Sequence, residues 1–174
     1  MKQKKVRLLG LLLAAVMLLG YLPVQALAAE GGWFYLAADW NGTLLIAPER
    51  ISYTADQTLY EALNASGHSF GPDENSVTQI DGKTGNFIRS DETGSHDLTR
   101  NAAQAGIRYL CFTDRLTAQP SDAMQSLIAA MADYRLEEPD VQLTAQAAYN
   151  AACAGYVTAD DNAALSLYTA LHNA

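Results

Sequence analysis

Long apolar runs, basic side chains and cysteines are all scarce in this chain of 174 residues. One strongly apolar run, from Leu8 to Leu19, is about a dozen residues long, whereas a helix needs roughly 20 residues to cross a bilayer. Two cysteines are too few for a disulfide scaffold, and no Cys and His spacing resembles a zinc or redox site. The sequence therefore excludes a polytopic membrane protein, a disulfide-rich miniprotein and a zinc-binding domain.

The apolar run has the surroundings of a cleavable secretory signal peptide. Four basic residues precede it, and the small-residue stretch Ala26-Leu27-Ala28 follows it. This order of a basic region, a short apolar region and an A-x-A site is typical of signal peptides, so residues 1–28 are predicted to be a leader. The alternative is an uncleaved N-terminal anchor. We expect a bacterial protein that is secreted or held at the cell wall or cell surface.

Removal of residues 1–28 makes the predicted mature protein strongly acidic. Four of the eleven basic residues leave with the leader and all nineteen acidic residues stay, which gives 7 minus 19, or −12. Binding to nucleic acid or to anionic membranes works through clustered Lys and Arg. We therefore expect no nucleic-acid partner, and no membrane partner after cleavage.

Composition divides the mature chain into two parts. Residues 29–117 are rich in β-branched residues, Gly and Thr, and they contain a hairpin signal at Asn41-Gly42, a helix over 58–66 that ends at Gly67, and an apolar strand over 107–112. A further extended piece is predicted over 50–54, after Pro48. Runs of strands with one inserted helix indicate an α+β domain with a β-grasp-like small mixed sheet and one packed helix.

Residues 118–174 are rich in Ala and Leu with helical periodicity and predict a three-helix α unit. The predicted buried faces, helix by helix, are Met124, Leu127, Ile128, Met131 and either Tyr134 or Arg135; Val141, Ala145, Ala148, either Ala152 or Cys153, and Tyr156; Ala164, Leu165, Tyr168 and Leu171. The spacing from Thr158 to Asp161 resembles a capping box and predicts that the third helix starts directly after Val157.

The segment Gln57–Leu63, followed by Ser66-Gly67-His68, Ile80-Asp81-Gly82 and Tyr109–Phe112, resembles the transcobalamin C-terminal-like β-grasp domains of Gram-positive bacterial surface proteins. The resemblance spans roughly residues 43–114. It implies an extracellular accessory domain that binds a small molecule, a glycan or a neighbouring domain. It assigns no cobalamin-contacting residue to this chain. The helical unit is loosely similar to small helical modules in such surface proteins.

No motif in the sequence predicts catalysis, a cofactor or a metal. Gly82-Lys83-Thr84 lacks the earlier glycine of a phosphate-binding loop, since position 77 is Val77. The acidic clusters lack the spacing of a calcium loop. Ser95-His96-Asp97 suggests a hydrolase, but a catalytic triad is defined by geometry and not by adjacency in sequence.

The aromatic residues around the hairpin predict a binding surface made by Trp33, Tyr35, Trp40 and Asn41. Flat rings exposed beside an amide suit stacking on sugars or contact with a protein. The alternative is that Trp33 and Tyr35 are half-buried packing residues and that Trp40 caps the edge of the sheet.

Cys111 and Cys153 would form a disulfide outside the cell if the fold brought their Cα atoms within about 7 Å. The alternative is two separate buried thiols.

The leading hypothesis for function is an exported, non-catalytic accessory module that binds a glycan, a small ligand or a surface protein. Two alternatives stay open: a small secreted hydrolase with a site near Ser95–Asp97, and a shortened remnant of a larger surface protein.

Overall fold

A computed structural model describes residues 31–85, 87–90, 98–114 and 119–174. The strands in these ranges are β1 (Gly32–Trp40), β2 (Thr43–Tyr53), β3 (Phe70–Asp73), β4 (Ser76–Ile80), β5 (Lys83–Thr84), β6 (Phe87–Ser90) and β7 (Tyr109–Thr113). The helices are α1 (Leu59–Ala65), α2 (Ala102–Ala105), α3 (Asp122–Tyr134), α4 (Pro139–Gly155) and α5 (Asp161–His172). None of these helices is both long and apolar enough to span a membrane.

The main sheet is small and mixed, with the strand order β2-β1-β7-β6. Strands β1 and β7 run parallel at its centre, and β2 and β6 pair antiparallel with them at the edges. A second, antiparallel sheet has the order β3-β4-β5. The α+β prediction of a small mixed sheet with a packed helix, followed by three helices, is confirmed.

Two tight turns are formed by the dipeptides Asn41-Gly42 and Asp81-Gly82. Asn41 and Gly42 have φ angles of 50° and 74°, and Asp81 and Gly82 have 47° and 74°. Two consecutive residues at positive φ match the twist of antiparallel strands, and this conformation favours Asn or Asp followed by Gly. The hairpin predicted at Asn41 is confirmed.

Strand β2 passes through Pro48 without a break, so the prediction of two separate extended pieces is wrong. Proline lacks a backbone N–H, but it is tolerated at sheet edges and bulges. Both conditions hold here, because β2 is an edge strand and its register with β1 shifts between Leu36 and Ala38. Arg135 donates a hydrogen bond from Nη1 to the Ala47 carbonyl at 3.2 Å, which occupies one acceptor beside the proline.

Helix α1 begins with a complete capping box. Thr58 Oγ1 accepts a hydrogen bond from the Glu61 amide at 3.1 Å, and Glu61 Oε2 accepts one from the Thr58 amide at 2.8 Å. The helix ends before Gly67, whose φ of 93° lies in the left-handed region that glycine adopts most easily. The helix and its glycine stop are therefore confirmed.

The main sheet is covered on both faces because β1 alternates its side chains. Phe34 and Leu36 join the core under α1, whereas Ala37 joins the core under the three C-terminal helices, with Tyr35 packed against it. Alternation with a period of two is the geometry of any strand. The result is a three-layer arrangement in which α3 packs on β1 and β2, and residues 31–174 form one compact unit.

The predicted buried faces are largely confirmed on all three C-terminal helices, and the exceptions are Val141 on α4 and Leu165 on α5. Leu127, Ile128 and Met131 are fully buried, whereas Val141 and Leu165 are 47% and 53% exposed. Helical periodicity identifies the apolar stripe of each helix but does not say how much of that stripe is buried. Val141 and Leu165 belong to parts of the stripes that no described element covers.

The start of α5 also corrects the sequence prediction. Asp160, and not Thr158, is the N-cap residue, and its Oδ1 accepts a hydrogen bond from the Ala163 amide at 2.8 Å. Asp and Thr both cap helices, and Asp is the stronger of the two. The hydroxyl of Thr158 instead donates to the Gly155 carbonyl at 3.4 Å.

Cys111 and Cys153 are thiols and are not bridged to each other. Cys111 is buried in β7, and Cys153 is half-buried on α4. Burial raises the pKa of the Cys153 thiol, and its contacts with Tyr149 and Arg135 offset part of that rise. A thiol of raised pKa is a poor nucleophile at neutral pH.

Candidate functional site

The four residues predicted to bind a ligand fall into two groups at opposite ends of β1. Trp33 and Tyr35 lie near its start, whereas Trp40 and Asn41 lie at the hairpin turn. Strand geometry separates Trp33 from Trp40 by roughly 23 Å at about 3.3 Å per residue. The structure therefore does not bring the four together into one surface.

Trp33 is the exposed member of the first group, with 43% of its surface accessible. The guanidinium carbon of Arg50 lies 4.2 Å from the centroid of the indole ring, and the Tyr35 ring lies 4.9 Å away at 60°. Arg50 is opposite Tyr35 in the register of β1 and β2, which brings the three side chains together. Cation–π contact and aromatic packing together fix the orientation of an indole that solvent still reaches.

Asp133 near the end of α3 completes this cluster. It accepts a hydrogen bond from Arg50 Nε at 3.0 Å and from the Tyr35 hydroxyl at 3.3 Å. Burial raises the pKa of Tyr35, the charge of Asp133 raises it further, and Arg50 offsets part of the rise. The phenol therefore stays protonated as a donor at neutral pH. We name Trp33, Tyr35, Arg50 and Asp133 the Trp33 surface.

A groove of about 350 Å³ lies beside the Trp33 surface, and Tyr35 belongs to both. Its lining mixes apolar and polar groups, and we name it the polar groove after its hydrogen-bonding side chains. Its other lining residues are Arg108, Tyr109, Asp122, Gln125, Ser126 and Ala129. Arg108 Nη2 donates a hydrogen bond to Gln125 Oε1 at 3.1 Å across the groove. Hydroxyl, amide, guanidinium and carboxylate groups thus face one concave space, which is the arrangement that recognises a polar small ligand.

Trp40 and Asn41 have structural partners at the other end of β1. Trp40 Nε1 donates a hydrogen bond to the Thr84 carbonyl at 2.9 Å, and Lys83 lies 4.9 Å from its ring centroid. The backbone N–H of Asn41 donates a hydrogen bond to Asp114 Oδ2 at 2.8 Å. These contacts join the first hairpin to β5 and to the end of β7, so this group ties sheet elements together.

His68 lies in a charged cluster that the sequence did not reveal. Its Nδ1 is 2.8 Å from Asp81 Oδ2, and its Nε2 is 3.1 Å from Glu49 Oε1 without the geometry of a hydrogen bond. Arg135 Nη1 lies 3.2 Å from the other oxygen of Glu49. Burial by itself would raise the pKa of Asp81, but hydrogen bonds from the Ser69 amide and His68, with the imidazole charge, lower it below its usual value.

This cluster joins four separate parts of the chain: β2, the turn after α1, the turn between β4 and β5, and the end of α3. No sequence pattern links these positions, which is why residue spacing could not find them. These charged groups include no hydroxyl or thiol that His68 could activate as a nucleophile. The cluster therefore acts through charge, and its contacts hold the four parts of the chain together.

The remaining candidates give no catalytic or metal site in the described ranges. Ser95, His96 and Asp97 lie outside the described residues. His172 stacks on Tyr168 with ring centroids 5.5 Å apart. Among the residues that the structure covers, no group of three or more His, Cys, Asp or Glu side chains is arranged to hold a metal ion.

Comparison with known proteins adds no assignment: no protein-family model, no curated protein and no solved structure matches this chain.

Proposed function

We propose that the protein is an exported, non-catalytic binding module and that its ligand is a carbohydrate bound at the Trp33 surface and the adjoining polar groove. The observation that carries the proposal is an indole that is 43% exposed yet held in place by Arg50 and Tyr35. A fixed, accessible aromatic ring offers a stacking surface at little entropic cost.

The charges of the surface favour a neutral, hydroxyl-rich ligand. Arg50 is paired with Asp133 at 2.9 Å, so the guanidinium beside Trp33 brings little net attraction for an anion. The groove next to it presents the Gln125 amide, the Ser126 hydroxyl and the Tyr35 ring. An aromatic platform next to groups that both donate and accept hydrogen bonds suits a sugar ring, which has an apolar face and polar edges.

Export and location remain predictions from the leader at residues 1–28. The resemblance to transcobalamin C-terminal-like β-grasp domains is also a prediction, and it supports an extracellular accessory role. A cell-wall or host-surface glycan is the ligand expected at that location. A corrinoid is the competing ligand that the resemblance suggests.

The test uses residues 29–174 and measures binding by intrinsic fluorescence in the Trp40→Phe variant, which leaves Trp33 as the single indole reporter after the leader. The probes are oligosaccharides of N-acetylglucosamine, soluble peptidoglycan fragments, β-glucan oligosaccharides and cyanocobalamin, with melting temperature as a second readout. We expect one sugar class to quench or shift Trp33 emission and to raise the melting temperature.

The decisive comparison is Trp33→Ala with Leu143→Ala. Leu143 is 78% exposed on α4 and does not line the polar groove, so it controls for the loss of an exposed apolar side chain. Sugar binding should be lost in Trp33→Ala and kept in Leu143→Ala. Binding that survives Trp33→Ala, or binding of cyanocobalamin alone, would contradict the proposal.

A further inference from the structure

A second groove lies in the helical unit, and it shares Ser126 and Ala129 on α3 with the polar groove described above. Its volume is about 520 Å³, which is in the usual range for a ligand-binding cleft. It is open to solvent between α3, α4 and α5, and its lining is mainly apolar. The apolar lining residues that the argument uses are Ala130, Tyr134, Val141, Tyr168 and Leu171.

An apolar side chain of the groove lining remains exposed. Val141, in the first turn of α4, is 47% exposed. Val141 falls on the apolar stripe of its helix, with the buried Ala145 one turn further on. The stripe therefore continues past the packed part of the helix onto a surface that no described element covers.

Acidic residues dominate the charge of the helical unit that forms the groove. Residues 119–174 contain seven acidic residues and one basic residue, Arg135, a net charge of −6. Arg135 is already engaged with Glu49 and the Ala47 carbonyl on β2. Glu137 lines the groove, and Glu138 and Asp140 follow it at the start of α4. None of these three carboxylates is ion-paired within the described part of the chain.

We propose that this groove docks a cationic amphipathic helix of a partner protein. The partner's apolar residues, spaced i, i+3 or i+4 and i+7, would fill the space between Val141, Tyr134 and Leu171, and its Lys or Arg residues would face the carboxylates. A groove walled by helical side chains offers no backbone edge for strand pairing, so a helix is the matching element. The negative rim repels nucleic acid and anionic lipid.

The groove shares Asp133, Ser126 and Ala129 with the proposed carbohydrate site, but the docking proposal rests on other residues, namely Val141, Tyr134, Leu171 and the acidic rim. Trp33 does not line the groove. Asp133 lines it, but that carboxylate is neutralised by Arg50 and is not part of the unpaired rim.

The probe is a fluorescent 18-residue Lys/Leu peptide designed as an amphipathic helix, with a Glu/Leu peptide of the same pattern as its control. Binding to residues 29–174 is measured by fluorescence anisotropy at low and moderate salt. We expect the Lys/Leu peptide to bind, to weaken as salt rises, and to gain helicity in the complex. The Glu/Leu peptide should not bind.

Two substitutions on α4 locate the binding surface. Val141→Lys and Leu143→Lys change the net charge equally and each remove an exposed apolar side chain, but only Val141 lines the groove. We expect Val141→Lys to weaken binding by about tenfold or more, because it places a like charge against the bound cation. Leu143→Lys should weaken it by less than about threefold, since its effect is only the long-range change in charge.

The triple variant Glu137→Gln, Glu138→Gln, Asp140→Asn tests the rim without touching a packed residue, with Glu74→Gln on the β3–β4 turn as a distant control. The triple variant should lose affinity and most of its salt dependence, and Glu74→Gln and Trp33→Ala should bind like the parent protein. Absence of binding by the Lys/Leu peptide at low salt, equal effects of Val141→Lys and Leu143→Lys, or equal binding of both peptides would overturn the proposal.

Discussion

Replacing Thr113 with valine tests a buried polar contact between the two central parallel strands. Thr113 lies at the end of β7 opposite Asp39 in β1, and its Oγ1 donates a hydrogen bond to Asp39 Oδ1 at 2.9 Å. The two residues are the buried polar residues of the described core, with 0% and 3% of their surfaces exposed. Valine keeps the shape of threonine but removes the donor.

The expected cost is about 2 kcal/mol, since a hydrogen bond to a charged group contributes roughly 1.5 to 3 kcal/mol. Asp39 keeps its other interactions in the valine variant. The loss of stability is therefore smaller than the free energy of burying a carboxylate that has no partner at all. In a unit of this size, 2 kcal/mol corresponds to a fall in melting temperature of roughly 6 to 8 °C.

Urea unfolding of residues 29–174 followed by tryptophan fluorescence measures the change, with an unaltered m-value as the condition for comparing free energies. Thr113→Ser is the control: it keeps the hydroxyl and should lose only about 1 kcal/mol for the missing buried methyl. A valine variant that is as stable as the serine variant, or more stable, would refute the reasoning.

Two further predictions concern packing and pH. Gly85→Ala should destabilise the protein by about 1 to 3 kcal/mol, because the added Cβ would overlap the buried Phe112 ring. Gly71→Ala is the control: a Cβ added at Gly71 meets no neighbouring atom, so this variant should lose far less stability in the same urea assay. Asp81 has a pKa below its usual 3.8 in the folded protein, so its stabilising contribution is present above pH 3.8 and is lost as pH falls through the folded pKa. Carboxyl ¹³C chemical shifts should show that pKa moving upward in His68→Gln, and an unchanged value would mean that His68 does not stabilise the carboxylate.

Much of the fold was predictable because it depends on local patterns. The Asn41-Gly42 turn, the Gly67 stop and the apolar run of β7 each have a short-range physical cause. The Thr58 and Glu61 capping box was also present in the sequence and could have fixed the start of α1. Strand β3 and helix α2 were missed because they are only four residues long and carry no clear periodicity.

The candidate site was predictable only in part. Trp33 and Tyr35 are two residues apart on one strand, so the sequence alone places them on the same face. Arg50 and Asp133, which hold them, come from β2 and α3, and no spacing rule connects positions that far apart. The sequence groups Trp40 with Trp33 because both belong to the first hairpin, but the two residues lie seven positions apart along an extended strand.

The sequence by itself determined the acidic character of the chain, the α+β class and the position of the main turns, because composition and local backbone preferences act over a few residues. Only the tertiary structure decided which side chains meet across elements: Asp133 with Arg50, His68 with Glu49, and Thr113 with Asp39. It also decided which parts of an apolar stripe stay uncovered, as at Val141. Both outcomes depend on how whole layers pack, and packing is set by the shape of every element at once.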